Sequence, residues 1–323
     1  MYPLKFNPIL KDKIWGGFKL QNIYGKNQSR LPNIGESWEL SGYKSDTSVV
    51  ANGTLAGKTL LNLIENFKGE LLGNKVYEKY NSEFPLLFKL IDANDDLSIQ
   101  VHPNDQYARK RHNSFGKTEM WYVLEASDDA YLIIGFNENI EKETYAEAVK
   151  NNKLGKLLKK ISVKAGDVFF IPAGLVHAIG KGVMVAEIQQ SSDATYRIYD
   201  YDRKDERGKK RDIHTQLALD VINFSAGKDS KIEYNLIENQ TVSLIKCDYF
   251  TTNILEFSKT ISKDYSKLDS LIVYMCLDGH FEVECQNTTT AVCKGETLMI
   301  PASINHLSIK PTDGKSKLLE IYL

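Results

Sequence analysis

The sequence predicts a mainly β protein of two small antiparallel barrels, with helices confined to insertions in the N-terminal part. Three observations lead there. The first is an internal repeat: residues 166–177, G-D-V-F-F-I-P-A-G-L-V-H, return at residues 295–306 as G-E-T-L-M-I-P-A-S-I-N-H, with Gly, an acid, Ile-Pro-Ala and His in matching positions. The second is a set of short β-rich runs around each copy, at residues 120–124, 130–135, 271–277 and 281–284, separated by Gly, Asn and Asp turns. The third is that helical spacing of apolar residues occurs only between these runs.

Taken in order, residues 58–80 put Leu60, Leu61, Leu63, Ile64, Phe67, Leu71 and Leu72 on roughly one face, and Gly69 and Gly73 are expected to break the helix. Residues 141–161 read as a helical pair, with Thr144 as a cap before Tyr145, Ala148, Val149, Leu154, Leu157 and Leu158. A third helix is expected after Asp212, carrying Leu217, Leu219, Val221 and Ile222. The polar stretch 225–230, with Gly227 and Asp229, is the candidate linker. Residues 1–235 then form a metal-binding catalytic domain, and residues 236–323 a second domain without metal.

Composition fits a soluble enzyme. A chain of 323 residues is long enough for about two domains, and 42% hydrophobic content can fill both cores. With 41 basic against 42 acidic residues, no bulk charge draws it to nucleic acid or to an anionic membrane. The first residues lack the apolar core of a signal peptide, and no apolar run approaches a membrane span. A cytoplasmic location is the expectation. Cys247, Cys276, Cys285 and Cys293 show no C-x-x-C or metal-finger spacing and are expected to be reduced, mostly buried thiols. Gly180-Lys181-Gly182 lacks the third glycine of a dinucleotide fingerprint, and there is no phosphate-binding Walker loop.

The chemistry concentrates in the first repeat. Strand residues alternate faces, so Gln100 and His102 point one way, as do Lys117 and Glu119 if their segment is extended. His177 ends the strand-turn motif. Two imidazoles, a carboxylate and an amide oxygen converging inside a barrel suit zinc or another divalent first-row ion, and leave room for a substrate oxygen. A lone histidine before proline, such as His102, is more often structural; its pairing with the Pro-x-Gly-x-x-His turn and Glu119 changes that reading. Gln100 is the weakest donor of the set. His112, His214 and His280 lack comparable partners and read as structural or exposed. In the second repeat His306 stands alone, because residues 270–277 offer no glutamate, and one imidazole cannot hold zinc.

The order of motifs along residues 1–225 is specific. The chain carries I-W-G-G at 14–17, G-E-S-W-E at 35–39, P-L-L-F-K-L-I-D-A-N-D-D-L-S-I-Q-V-H-P-N-D at 85–105, G-K-T-E-M-W at 116–121 and E-I-Q-Q-S-S-D-A-T-Y-R at 187–197. In these it resembles the type I mannose-6-phosphate isomerases, in the shorter bacterial form with two cupin domains. The resemblance implies two cupin-type jelly-roll barrels, one Zn2+ per chain on His102, Glu119 and His177 with Gln100 as a fourth ligand, and Arg197 as the active-site arginine. It also implies reversible interconversion of mannose 6-phosphate and fructose 6-phosphate through a cis-enediol, with a small sugar phosphate as partner. Two departures from general cupin patterning stand out: Gln100-Val101-His102 replaces H-x-H, and Glu119 follows at a distance, so residues 103–116 must loop out and are expected on the pocket rim.

Isomerisation places negative charge on neighbouring oxygens, which a divalent ion stabilises as a Lewis acid. A general acid/base must also move the proton, and the sequence does not single one out. Lys117, beside Glu119, is expected to orient substrate oxygens, against the alternative of a solvated rim lysine. Asp193, Thr195, Arg197 and Tyr199 share a face if extended, so Asp193 could hold Arg197, whose planar fork matches phosphate or an enediolate. Lys89 is a candidate second substrate contact or a solvated strand-end lysine, and Trp15 a wall of the sugar site or a core residue. The charged run 203–212 reads mainly as a solvated loop, with a basic contribution to phosphate attraction as the lesser alternative. Two alternatives to the isomerase remain: an iron-dependent cupin oxygenase, and a noncatalytic sugar-binding cupin for which this donor set would be surplus.

Overall fold

A computed structural model describes residues 1–26, 31–44, 46–204, 207–226 and 230–323. Its strands form four antiparallel sheets in two pairs. In the first pair, Leu86–Asp92, Val183–Gln190 and Glu119–Ala126 make the centre of a sheet that Ile34–Tyr43 and Ile9–Gly17 extend on one side and Val168–Ile171 and Lys231–Ile232 on the other. Its companion runs Leu158–Ser162, Tyr131–Phe136, His177–Ile179, Ile99–Val101, Tyr196–Tyr199. The second pair repeats this order. Thr241–Lys246, Thr251–Phe257, Ser316–Tyr322, Ile272–Asp278 and Thr297–Ile300 stand opposite the sheet of Ile261–Asp264, His306–Pro311, His280–Cys285 and Thr288–Cys293. The motif repeat read from the sequence is thus one fragment of a repeated topology, although Tyr196–Tyr199 has no counterpart in the smaller sheet of the second pair.

Period-two alternation explains how these sheets stack. Along Glu119–Ala126, Trp121 and Val123 turn inward and meet Leu132 and Ile134 of the companion sheet, while Met120 and Tyr122 turn outward. The outward set packs with Val273, Met275, Leu319 and Ile321 of the second unit, so the two large sheets lie back to back. A separate core, including Phe257, Tyr274, Phe281 and Ile309, fills the second pair. The units expected at 1–235 and 236–323 also share a sheet, because the first strand, Leu4–Asn7, pairs with Thr297–Ile300 through Leu4 opposite Met299. Of the candidate linker, residues 227–229 lie outside the described residues.

The insertions differ from expectation in two places. Residues 60–80 form three short helices, Leu60–Phe67, Gly69–Leu72 and Asn74–Tyr80, with Thr59 accepting from the Asn62 amide at 3.2 Å as cap. Gly73 breaks the run as expected, at φ 96°, but the other break falls on Lys68, at φ 47°, and Gly69 opens the next helix. Residues 141–161 are not a helical pair. The α-helix Lys142–Lys150 ends where Asn152 takes φ 54°, only the short 3-10 turn Leu154–Lys156 follows it, and Leu158–Ser162 becomes an edge strand on Tyr131–Phe136, since that open edge satisfies its backbone groups. Thr144 lies inside the helix and is not its cap. The third helix is present as Thr215–Leu219. All four cysteines are free; Cys276 and Cys285 are buried, Cys247 is half-buried and Cys293 exposed. Among the described residues no helix is long and apolar enough to cross a membrane.

Candidate metal centre

Between the sheets of the first pair, two elements deliver the histidines. His177 opens the strand His177–Ile179 opposite Gln100. Its turn depends on Gly174, at φ +88°, where an added Cβ would meet the Val221 carbonyl oxygen at 2.9 Å. The Gly174 amide donates to the His102 carbonyl at 2.9 Å, tying the two histidine segments together. Glu119 comes from the facing sheet. Each imidazole has its Nδ1 fixed by a carbonyl oxygen, that of Ala194 for His102 (3.0 Å) and that of Leu175 for His177 (2.8 Å). An N–H at Nδ1 leaves the Nε2 lone pairs to converge.

The convergent atoms are His102 Nε2 and His177 Nε2 at 3.1 Å, with Glu119 oxygens 3.6 and 3.4 Å from them respectively. Donors bound at about 2.0–2.1 Å in a tetrahedron stand roughly 3.3–3.4 Å apart, so the spacing fits such an ion. A second observation agrees: both Glu119 oxygens are buried and neither accepts a hydrogen bond, an arrangement that costs heavily unless a cation is held there. Burial, then the charges of Lys117 and His177, push the His102 imidazole well below its ordinary value. Burial brings His177 down to about 4. Both are therefore neutral near pH 7, the form that ligates metal. Burial and the Glu187 charge push the Glu119 carboxyl up, outweighing Lys117 and Lys89. Gln100 is at hand, its Nε2 3.3 Å from His177 Nε2; rotating the amide presents the oxygen instead.

Above this cluster opens a cavity of about 270 Å³. Lys117 and Gln100 line it on the side of the cluster; Lys117 Nζ is 3.2 Å from His102 Nε2 and 3.3 Å from Glu119 Oε2. Lys117 is buried, so the solvated-rim reading fails. Lys89 is no strand-end lysine either. It lies mid-strand, 5% exposed, with Nζ 3.2 Å from Glu187 Oε1 and donating to Gln189 Oε1 at 2.8 Å. Trp15 serves both proposed purposes, lining the cavity and packing in the core of the first unit. Arg197 and Asp193 both line the cavity but do not pair: Arg197 Nη1 donates to the Asp212 carbonyl at 2.9 Å, its Nε is buried without a partner, and Asp193 is exposed. Regular alternation starts only at Tyr196, and a bulge between Arg197 and Tyr199 turns Tyr199 out of the cavity face toward Tyr201.

Sequence reasoning missed Glu187, Glu36 and Arg211. Glu187 accepts from Trp121 Nε1 at 2.8 Å and leaves Oε1 buried without a hydrogen bond. Burial raises its carboxyl, but Lys89 and Lys117 override that and leave it below its usual range. Glu36 is treated likewise: burial opposes, yet Lys89 and Lys13 bring it down to about 2. The available signal was two polar residues, Glu187 and Gln189, on the inward face of an otherwise apolar strand. Residues 103–116 do not form the rim. They fold into the helix Asp105–His112, capped by Asn104, and pack outward, with His112 reaching Tyr196 and Arg111 reaching Asp220. His112, His280 and His306 are exposed, and His214 is half-buried, accepting the Arg197 amide. His306 lies 3.5 Å from Asp264, and among the described residues His102, Glu119 and His177 are the one such cluster of three donors.

Paired antiparallel sheets around a buried His-Glu-His cluster define a cupin with a site built for a divalent cation. The comparisons narrow the class. Residues 4–130 match the family of type I phosphomannose isomerase catalytic domains, and residues 240–322 that of mannose-6-phosphate isomerase cupin domains. The chain is 36% identical to the mannose-6-phosphate isomerase ManA of Bacillus subtilis, over 95% of this chain and 96% of that one. It is 37% identical to the Streptococcus mutans mannose-6-phosphate isomerase, over 94% and 93%. The crystal structure of the mannose 6-phosphate isomerase from Bacillus subtilis superposes along the whole of both chains, with a TM-score of 0.85 at 30% identity. The chain belongs to the type I mannose-6-phosphate isomerase family.

Proposed function

We propose that the protein interconverts mannose 6-phosphate and fructose 6-phosphate at this cavity, with one zinc ion on His102, Glu119, His177 and the amide oxygen of Gln100. The observation that carries the reading is the buried, hydrogen-bond-less Glu119 carboxylate facing two neutral imidazoles, next to Lys117 and Gln100, which line the cavity. When bound, the ion supplies Lewis-acid stabilisation of negative charge on the substrate oxygens. Lys117 adds a fixed positive charge beside them and orients the substrate. Glu187 is the candidate to carry the proton between carbon-2 and carbon-1: Glu36 is occupied by Lys13 and by Trp38 Nε1, Asp193 is exposed, and Glu187 lines the cavity with its Oε1 beside Lys89 and free of hydrogen bonds. Trp15 and Trp121 wall the space and exclude water.

A coupled assay with mannose 6-phosphate tests the proposal. Turnover should disappear on chelation and return with zinc. Sugar-phosphate binding without turnover would favour a noncatalytic cupin, and oxygen consumption by an iron-loaded sample an oxygenase.

Lys117→Ala should lower turnover about tenfold or more while metal content stays near that of the wild type, because an ammonium acting on the transition state serves the chemical step rather than the ion. Elemental analysis alongside kcat separates the two effects. Unchanged turnover would leave Lys117 a purely structural partner of Glu119.

A further inference from the structure

Five side-chain cations line the cavity, and three of them face a carboxylate at the same site: Lys13 with Glu36 at 3.1 Å, Lys89 with Glu187 at 3.2 Å and Lys117 with Glu119 at 3.3 Å. The two guanidiniums differ. Arg197 pairs with no carboxylate among the described residues and holds a buried Nε without a hydrogen bond. Arg211 has an acid, but Asp200 grips it from outside the cavity wall, Nε donating to Oδ2 at 2.7 Å and Nη2 to Oδ1. Nη1 is then left, among the described residues, without a protein acceptor.

We infer that Arg211, set in place by Asp200, completes with Arg197 the part of the cavity that takes the phosphoryl group of the substrate. The inference rests on the sugar-phosphate reading above. Depth sets the polarity of the site. The metal donors are at most 1% exposed, whereas the Arg211 side chain is 27% exposed, so the guanidiniums stand toward the mouth and the isomerising end of an extended sugar lies below. Two planar forks suit the several oxygens of a phosphate dianion better than the compact ammoniums of Lys89 and Lys117, which are the more deeply buried. They also stand close together: after burial, the Arg211 charge is the largest influence lowering the Arg197 guanidinium, a repulsion that a bound dianion would relieve.

Asp200 is a positioning residue. It is buried, and although burial raises its carboxyl, hydrogen bonds from Arg211 and Arg203 keep it low. Arg203 Nη2 donates to it at 2.6 Å while Nη1 reaches the Asp96 carbonyl, and its guanidinium lies over the Tyr201 ring at 5.1 Å. Arg203 and Arg211 are therefore pinned, while Lys204, residues 207–210 and Asp212 are exposed, as expected of a solvated loop; residues 205–206 lie outside the described residues.

The test uses the full metal-loaded chain and compares wild type with Arg211→Ala, Arg211→Lys, Asp200→Asn and the double variant Arg211→Ala/Asp200→Asn. Readouts are KM and kcat for mannose 6-phosphate, and competition by inorganic phosphate. Arg211→Ala should raise KM and the phosphate inhibition constant about tenfold or more, with a smaller change in kcat, as loss of a charge-assisted contact to a non-reacting group requires. Arg211→Lys should fall between. Asp200→Asn should act in the same direction, and the double variant should be no worse than Arg211→Ala, because the aspartate acts through the arginine. Values within twofold of wild type in Arg211→Ala, or full additivity in the double variant, would overturn the inference. If Arg211→Ala melts early, calorimetric titration of Arg211→Lys with phosphate decides instead, weaker binding supporting the inference and unchanged binding overturning it. A wild type that binds phosphate in an Arg211-dependent way yet never turns over mannose 6-phosphate would remove the isomerase reading alone.

Discussion

His177→Ala should leave the protein with almost no bound metal and turnover at background. The imidazole is fully buried, its Nδ1 is already committed to the Leu175 carbonyl, and its Nε2 stands 3.1 Å from that of His102, so nothing nearby can replace it. His102, Glu119 and an amide oxygen would remain, a set short of the three strong donors plus open position that catalytic zinc uses. Elemental analysis of the purified variant reads the first effect and the coupled assay the second. Stoichiometric metal in His177→Ala, or two ions in the wild type with one retained near His306, would overturn the assignment.

Lys89→Met should cost about 3–5 kcal/mol of stability, because it strips the cation from a buried pair and leaves the Glu187 charge without its nearest compensation. Denaturant unfolding of the metal-loaded protein measures the loss. The double variant Lys89→Met/Glu187→Leu should recover most of it, since an apolar pair of similar volume avoids burying a lone charge, yet remain inactive. A Lys89→Met protein as stable as the wild type would mean that water reaches Glu187 more freely than its 3% exposure implies.

The candidate metal donors were legible because strand alternation and a glycine turn are local rules: two-residue spacing places Gln100 with His102 and Lys117 with Glu119, and the Pro-Ala-Gly turn needs no distant information to deliver His177. The repeated motif likewise disclosed a repeated topology. What escaped is what depends on residues far apart in the chain. Lys89 looks like any strand lysine until Glu187 and Gln189 arrive beside it from another strand, and Arg211 looks solvated until Asp200 folds back to hold it. Leu154, Leu157, Leu158 and Ile161 keep a helical spacing, and only the free edge of Tyr131–Phe136 makes residues 158–162 a strand. The expected Asp193–Arg197 pair failed because it assumed extended backbone three residues before the strand begins.

The pairing of Leu4–Asn7 with Thr297–Ile300 bears on the order of events at the ribosome. Phe6 and Asn7 of this strand find Val50 and Val49 nearby in the chain, but Leu4 and Lys5 meet Met299 and Leu298 only once that distant segment exists, so half of the strand waits for a partner from the far end of the sequence. Contacts that join opposite ends of a chain carry a high loop-closure cost and come late in folding. Until then Leu4, fully buried in the finished protein, lacks its partner strand, the kind of transient apolar edge that invites association between nascent chains.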